Sequence, residues 1–169
     1  MKTVENIVTG AANSLAVAGL TVLLVLAVFT LFDGLLRAFA NYPLDIVREI
    51  GDLVAAVCGA CCLPIALLHR NNITIRIFEK ILPPRGARVI DVAADTLIAI
   101  VMIAMAWQFY LFGIKTARAG DVTWMLNIPK APFWFVVDAV LWVGAAVQLF
   151  VLYRVIIGAP IARSEESAL

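Results

Sequence analysis

No charged side chain occurs between Ile7 and Phe32, and none between Thr96 and Ile114. At about 1.5 Å per residue, either run can cross the roughly 30 Å of hydrocarbon in a bilayer. A third run, from about Gly51 to Leu68, is strictly uncharged from Leu53, and a fourth, from about Ala131 to Tyr153, is broken by Asp138. These four runs set the fold class: an all-α integral membrane protein of four tilted transmembrane helices. The spans fall at approximately 8–32, 45–68, 92–114 and 131–154 of a single membrane domain, residues 1–169, with a loop over 69–91 and a tail over 155–169. Composition agrees, since 63% hydrophobic and 15% charged residues with a mean hydropathy of +0.99 lie outside soluble usage. The net charge of +1 comes without a dense basic run interleaved with aromatics, so no nucleic-acid footprint is present. Lys2 and Ala38-Phe39-Ala40 imitate a cleavable leader. The apolar run is too long for one, and Asp33 and Arg37 intervene, so an uncleaved helix is expected.

With four spans, the two termini and the middle loop share one side of the bilayer. That side holds eight basic residues, Lys2, Arg70, Arg76, Lys80, Arg85, Arg88, Arg154 and Arg163, against five on the other, Arg37, Arg48, Lys115, Arg118 and Lys130. The excess of positive charge places both termini in the cytoplasm. In the middle loop, Ile73, Ile77, Phe78, Ile81 and Leu82 recur at helical spacing while Arg76, Glu79 and Lys80 take other angles. The pattern predicts a short helix lying in the cytoplasmic interface and stopped by Pro83 and Pro84. On the opposite side, Pro43 is placed to open a helix that runs on to Leu68 and exceeds the bilayer thickness. Its first turns form a polar collar of Asp45, Arg48, Glu49 and Asp52.

Cys58, Cys61 and Cys62 are all the cysteines of the chain and spell a Cys-x-x-Cys pattern. They fall near the middle of the second span, with no basic neighbour in the same helix. A thiol in apolar surroundings stays protonated and poorly reactive. A structural zinc needs four ligands, and the single histidine, His69, lies about two turns beyond Cys62. A quinone-linked disulfide generator would need cysteines in outer loops, where there are none. Small-residue packing is the better account: Ala55, Gly59 and Cys62 share one stripe, with Ala56 and Ala60 on the next, and such side chains let another helix approach closely. Pro64 frees the carbonyl of Ala60 and predicts a local kink or a bound water.

Asp138 is the acid that sits well inside an apolar segment, where a carboxylate is costly unless paired, protonated or near water. It serves either as a proton or ion relay or as a polar lock to a neighbouring helix or a partner subunit. The lock is preferred, because no second acid sits at comparable depth. Asp91 and Asp95 precede the third span, where a helix N-terminus favours negative charge. Trp107, Tyr110, Trp124, Trp134, Trp142 and Tyr153 suit interface anchors or packing, and Gln108 and Gln148 can bond between helices. No catalytic, cofactor-binding or metal-binding set can be assembled from these residues.

From about Ala38 to Tyr153 the chain resembles the small membrane subunit of tripartite ATP-independent periplasmic (TRAP) transporters, the DctQ-type family. The resemblance rests on Arg48-Glu49 opening the second span, Gly59 within it, the stretch HRNNITIRIFEKILPPR after it, and GDVTWMLNIPKAPFW leading into the last helix. It implies a non-enzymatic subunit of the bacterial inner membrane, without cofactors. Its partners would be a large permease subunit, a periplasmic substrate-binding protein and membrane lipids, acting together in ion-coupled uptake of a small organic acid. On that basis Arg48, Glu49, Asp52, Asp121 and Lys130 are candidates for docking the binding protein, and Ala55, Gly59, Cys62 and Asp138 for packing against the large subunit. The alternative is a self-sufficient, proton-coupled exporter acting as a homodimer. In that reading Asp138 would have to replace the membrane-embedded glutamate that small multidrug exporters carry in their first helix, since the first span here has no acid.

Overall fold

The computed structural model describes residues 2–40, 45–68 and 84–157, which form four helices joined in sequence. These are α1 (Lys2–Ala40), α2 (Asp45–Leu68), α3 (Pro84–Ala119) and α4 (Ala131–Ile157). Each contains a stretch long and apolar enough to cross a membrane. The four-span, all-α expectation therefore holds. The interfacial helix predicted within 73–82 lies outside the described residues.

The helices extend past the apolar runs that reveal them. α1 has 39 residues and α3 has 36, or about 58 and 54 Å at helical rise. α2 and α4, with 24 and 27 residues, are about 36 and 40 Å long. α3 begins at Pro84, where the missing N–H is no loss and the fixed φ already suits a helix. Residues 84–91, counted with the loop from sequence, are thus its opening turns. Asp91 and Asp95 fall beyond its first turn, which carries no acid, so the helix-terminus account of them is set aside.

α1 packs on α2, α2 on α4, and α4 on α3. The order makes α2 and α4 inner helices and α1 and α3 outer ones. The outer helices meet their neighbours along narrow lines. On α1 the line is Ala12, Ala16 and Gly19, buried, followed by Leu23 and Leu26, half-buried. On α3 it is Asp95, Ala99, Met102, Ala106, Gly113 and Thr116, with half-buried Phe109 completing the series. Both lines alternate steps of four and three residues, the spacing that keeps one seam facing a partner helix. α4 instead buries Val137, Asp138, Val140, Leu141, Gly144, Ala145, Val147, Gln148, Val151 and Val155, because it is packed on two sides.

Close approach depends on missing side chains. A Cβ added at Gly19 of α1 would lie 2.8 Å from the Cβ of Cys61 and 3.2 Å from the carbonyl oxygen of Cys58, on α2. One added at Gly113 of α3 would lie 3.1 Å from the Phe135 ring, and one at Gly144 of α4 would lie 3.0 Å from Cε of Met102. Lipid tails are as apolar as leucine, so helices in a bilayer gain by fitting closely more than by leaving water. α2 continues as helix through Pro64, which is buried in the interior.

Candidate docking and packing surfaces

The connection between α3 and α4 is built as a clamp. α3 ends in a Schellman motif: the N–H of Gly120 donates to the carbonyl of Ala117 (3.4 Å) and that of Asp121 to the carbonyl of Thr116 (3.3 Å). Gly120 takes the left-handed conformation this requires, φ 66°. The chain then forms a small hairpin, with Val122 bridged to Pro129. Within it the Thr123 N–H donates to the Ile128 carbonyl at 2.9 Å and the Lys130 N–H to the Asp121 carbonyl at 3.0 Å. Buried Thr123 also accepts the Ile128 N–H on Oγ1 at 3.1 Å. Asn127 closes the turn at φ 51°, a conformation asparagine tolerates better than most residues.

The tip of this hairpin leaves two amides that the hairpin itself does not satisfy. Glu49, in the second turn of α2, takes both: its carboxylate accepts the Met125 N–H at 2.5 Å and the Leu126 N–H at 3.0 Å. A charged acceptor makes these the stronger kind of hydrogen bond, and successive N–H groups converging on one anion form a backbone nest. The contact joins the opening turns of α2 to the segment between α3 and α4. It brings Arg48, Glu49 and Asp52 to the same rim as Asp121 and Lys130. Arg48, Asp52 and Asp121 are exposed there, Lys130 is half-buried at the start of α4, and Glu49 is half-buried. Glu49 therefore turns to the hairpin. Trp124, 93% exposed, and Met125, 65% exposed, stand out from the tip.

The packing candidates divide. Ala55 and Gly59 face outward, and Cys62 is half-buried. Among the described residues, an added Cβ at Gly59 meets nothing within 4 Å. Cys58 and Cys61 are buried and supply the surface against which Gly19 of α1 lies, so the close helix contact is made by these two cysteines and not by the Ala55, Gly59 and Cys62 stripe. All three thiols are free. Asp138, expected from sequence among the residues meeting the large subunit, turns into the chain's own bundle. It is 6% exposed, and its Oδ1 is buried with no hydrogen-bond partner among the described residues. The reason is its helix: position 138 belongs to the wide inner face of α4.

A second buried polar contact joins α3 to α4. Nε2 of Gln148, 1% exposed, donates to the carbonyl oxygen of Asp95 at 3.2 Å and lies 3.5 Å from its Oδ1. Trp134 packs between Phe109, 5.9 Å away, and Phe112, 5.1 Å away edge-on. It is a packing residue, whereas Trp107, Trp142 and Tyr153 are exposed. On α1 Asp33 is 6% exposed and ion-paired with Arg37 at 3.7 Å. Among the described residues no three His, Cys, Asp or Glu side chains converge as metal ligands would. Sequence reasoning missed Gly19 and the amides of Met125 and Leu126. The first announces itself as a step in the Ala12, Ala16, Gly19 series, but the amides leave no mark in side-chain identity.

No curated protein and no solved structure matches the chain. The family model described as "Tripartite ATP-independent periplasmic transporters, DctQ component" matches residues 15–162, a range that begins within α1 and takes in α2, α3, α4 and the Glu49 clamp. The chain therefore belongs to the DctQ family: it is the small membrane component of a TRAP transporter, a transport subunit and not an enzyme.

Proposed function

We propose that the chain braces the large permease subunit and helps seat the periplasmic substrate-binding protein, so that ion-coupled uptake of a small organic acid works against a fixed frame. The observation that carries the reading is the outward stripe of α2. Ala55, Gly59 and Ala66 are exposed there, with Cys62 half-buried between them, and Gly59 has open space where a side chain would be. The inward small residues of the same helix already serve α1. A second small-residue surface suits a helix of another chain.

The docking part of the proposal concerns the clamped rim. The distribution of Lys and Arg puts this rim in the periplasm, where exposed Arg48, Asp52 and Asp121, with Lys130 beside them, would face a soluble partner. Glu49 supports the docking surface by holding the hairpin and is not itself a contact. In this reading α1 and α3, both longer than the hydrocarbon is thick, anchor the frame in the bilayer.

Two experiments separate the parts. Gly59→Leu, made in the chain co-expressed with the large subunit, should reduce co-purification and leave the thermal midpoint of the free chain unchanged. Undiminished co-purification would remove α2 from the contact. Charge reversal at Arg48, Asp52 or Asp121 should weaken uptake at unchanged abundance of the complex, and normal uptake in all three variants would end the docking proposal.

A further inference from the structure

The chain has two glutamines within its apolar spans, and the structure treats them in opposite ways. Gln148 is 1% exposed and donates into the α3–α4 seam at Asp95. Gln108, on α3, is exposed and points away from that seam. It lies six residues before Ile114, the end of a charge-free run that begins at Thr96. At about 1.5 Å per residue, its Cα is about 9 Å along the helix from the nearer end of that run, so a bilayer matched to the run places it within the hydrocarbon. A glutamine side chain is too short to reach the headgroups from there as lysine or arginine can.

An amide facing lipid at that depth forgoes its hydrogen bonds, a cost of kilocalories per mole in a medium with no donors or acceptors. Asp95, Ala99, Met102 and Ala106 face α4. Leu97, Val101, Ala104 and Gln108 repeat the same four-three-four steps on the opposite side and are all exposed. The outward series has a small residue one turn from the amide, which allows another backbone to come close. A polar residue at one position of such a seam fixes register, because only one alignment satisfies it.

We infer that the Leu97–Val101–Ala104–Gln108 face of α3 is covered by a transmembrane helix of the large permease subunit that offers Gln108 a hydrogen-bonding side chain or a free carbonyl at matching depth. The assignment rests on the bracing function proposed above and adds the face and the anchoring residue. Lipid does not qualify as the occupant, since its acyl chains cannot bond the amide. A second copy of the chain would satisfy the chemistry, and the test separates it.

The experiment uses the full chain co-expressed with the large subunit. Wild type must first bring the large subunit through purification. If it does not, the bracing function itself fails. Gln108→Leu should then lower the recovered large subunit on the order of tenfold, the scale of one interhelical hydrogen bond, while the thermal midpoint of the free chain stays level or rises. Equal recovery in wild type and variant overturns the inference alone, and a lowered midpoint of the free chain overturns it by showing that Gln108 bonds within its own bundle. A photoreactive benzoylphenylalanine at position 108 should give an adduct with the mass of this chain plus the large subunit. An adduct of two copies of this chain, or of lipid only, overturns it.

Discussion

α1 and α4 are both long, apolar and helical, yet 11% of the most apolar stretch of α1 is buried against 50% of that of α4. Hydropathy does not produce the difference. α4 carries small and polar residues across a broad arc of about 120°, including Gly144, Ala145, Asp138 and Gln148, all buried. α1 has its buried small residues on one line, Ala12, Ala16 and Gly19, and presents Leu20, Leu24, Val28, Leu31 and Phe32 outward. In a bilayer, large apolar side chains are content in lipid, so it is the small and polar positions that recruit a helix to the interior.

Three substitutions test this contrast, in decreasing order of effect. Gly19→Leu strikes the narrowest contact, where even a Cβ would be 2.8 Å from Cys61. Because the obstruction includes α2 backbone, the helices must part, and a destabilisation of about 3 kcal/mol is expected at the upper end for overpacking. Thermal unfolding of the detergent-solubilised chain measures it, and a midpoint equal to wild type would refute the single-seam account of α1. Gln148→Leu removes the donor to Asp95 without opening a cavity and should cost on the order of 1 kcal/mol; a change below about 0.3 kcal/mol in the same measurement would make the polar contact incidental to α4's interior position. Gly59→Leu should leave the free chain unchanged, since among the described residues no neighbouring helix comes within 4 Å of a Cβ added there. A lowered midpoint would mean that the outward face of α2 is internal after all.

A further comparison, between Glu49→Gln and wild type, reads the clamp by hydrogen exchange. The Met125 and Leu126 amides should lose protection when the charged acceptor is replaced, while the amides of α4 keep theirs. Unchanged exchange at the tip would show that the hairpin holds its shape alone.

What could be read in advance follows from what kind of information each feature needs. Charge-free runs reveal four spans because the bilayer imposes a length, and the Ala12, Ala16, Gly19, Leu23, Leu26 line is legible as a four-three series once a partner helix is sought. The cysteine spacing spells a redox or metal pattern, yet the property the fold uses is small size, with Gly19 fitting against Cys58 and Cys61. The direction in which Asp138 points was not legible, since it depends on which two helices embrace α4. The clamp was equally hidden: Glu49 bonds to backbone amides 76 and 77 positions later, and an amide looks the same whatever residue bears it. A helix start also hid at Pro84, which reads together with Pro83 as a stop for one helix and opens α3.

The 39 residues of α1 carry a mechanical consequence. A rod of about 58 Å inclined at 40°, the steep end of the range for membrane helices, still rises about 44 Å, the whole thickness of a bilayer with its headgroups. At any gentler inclination one end must project into water. The subunit thus possesses a lever arm that the lipid cannot swallow, and whatever grips its free end can transmit torque to the bundle through the Gly19 contact.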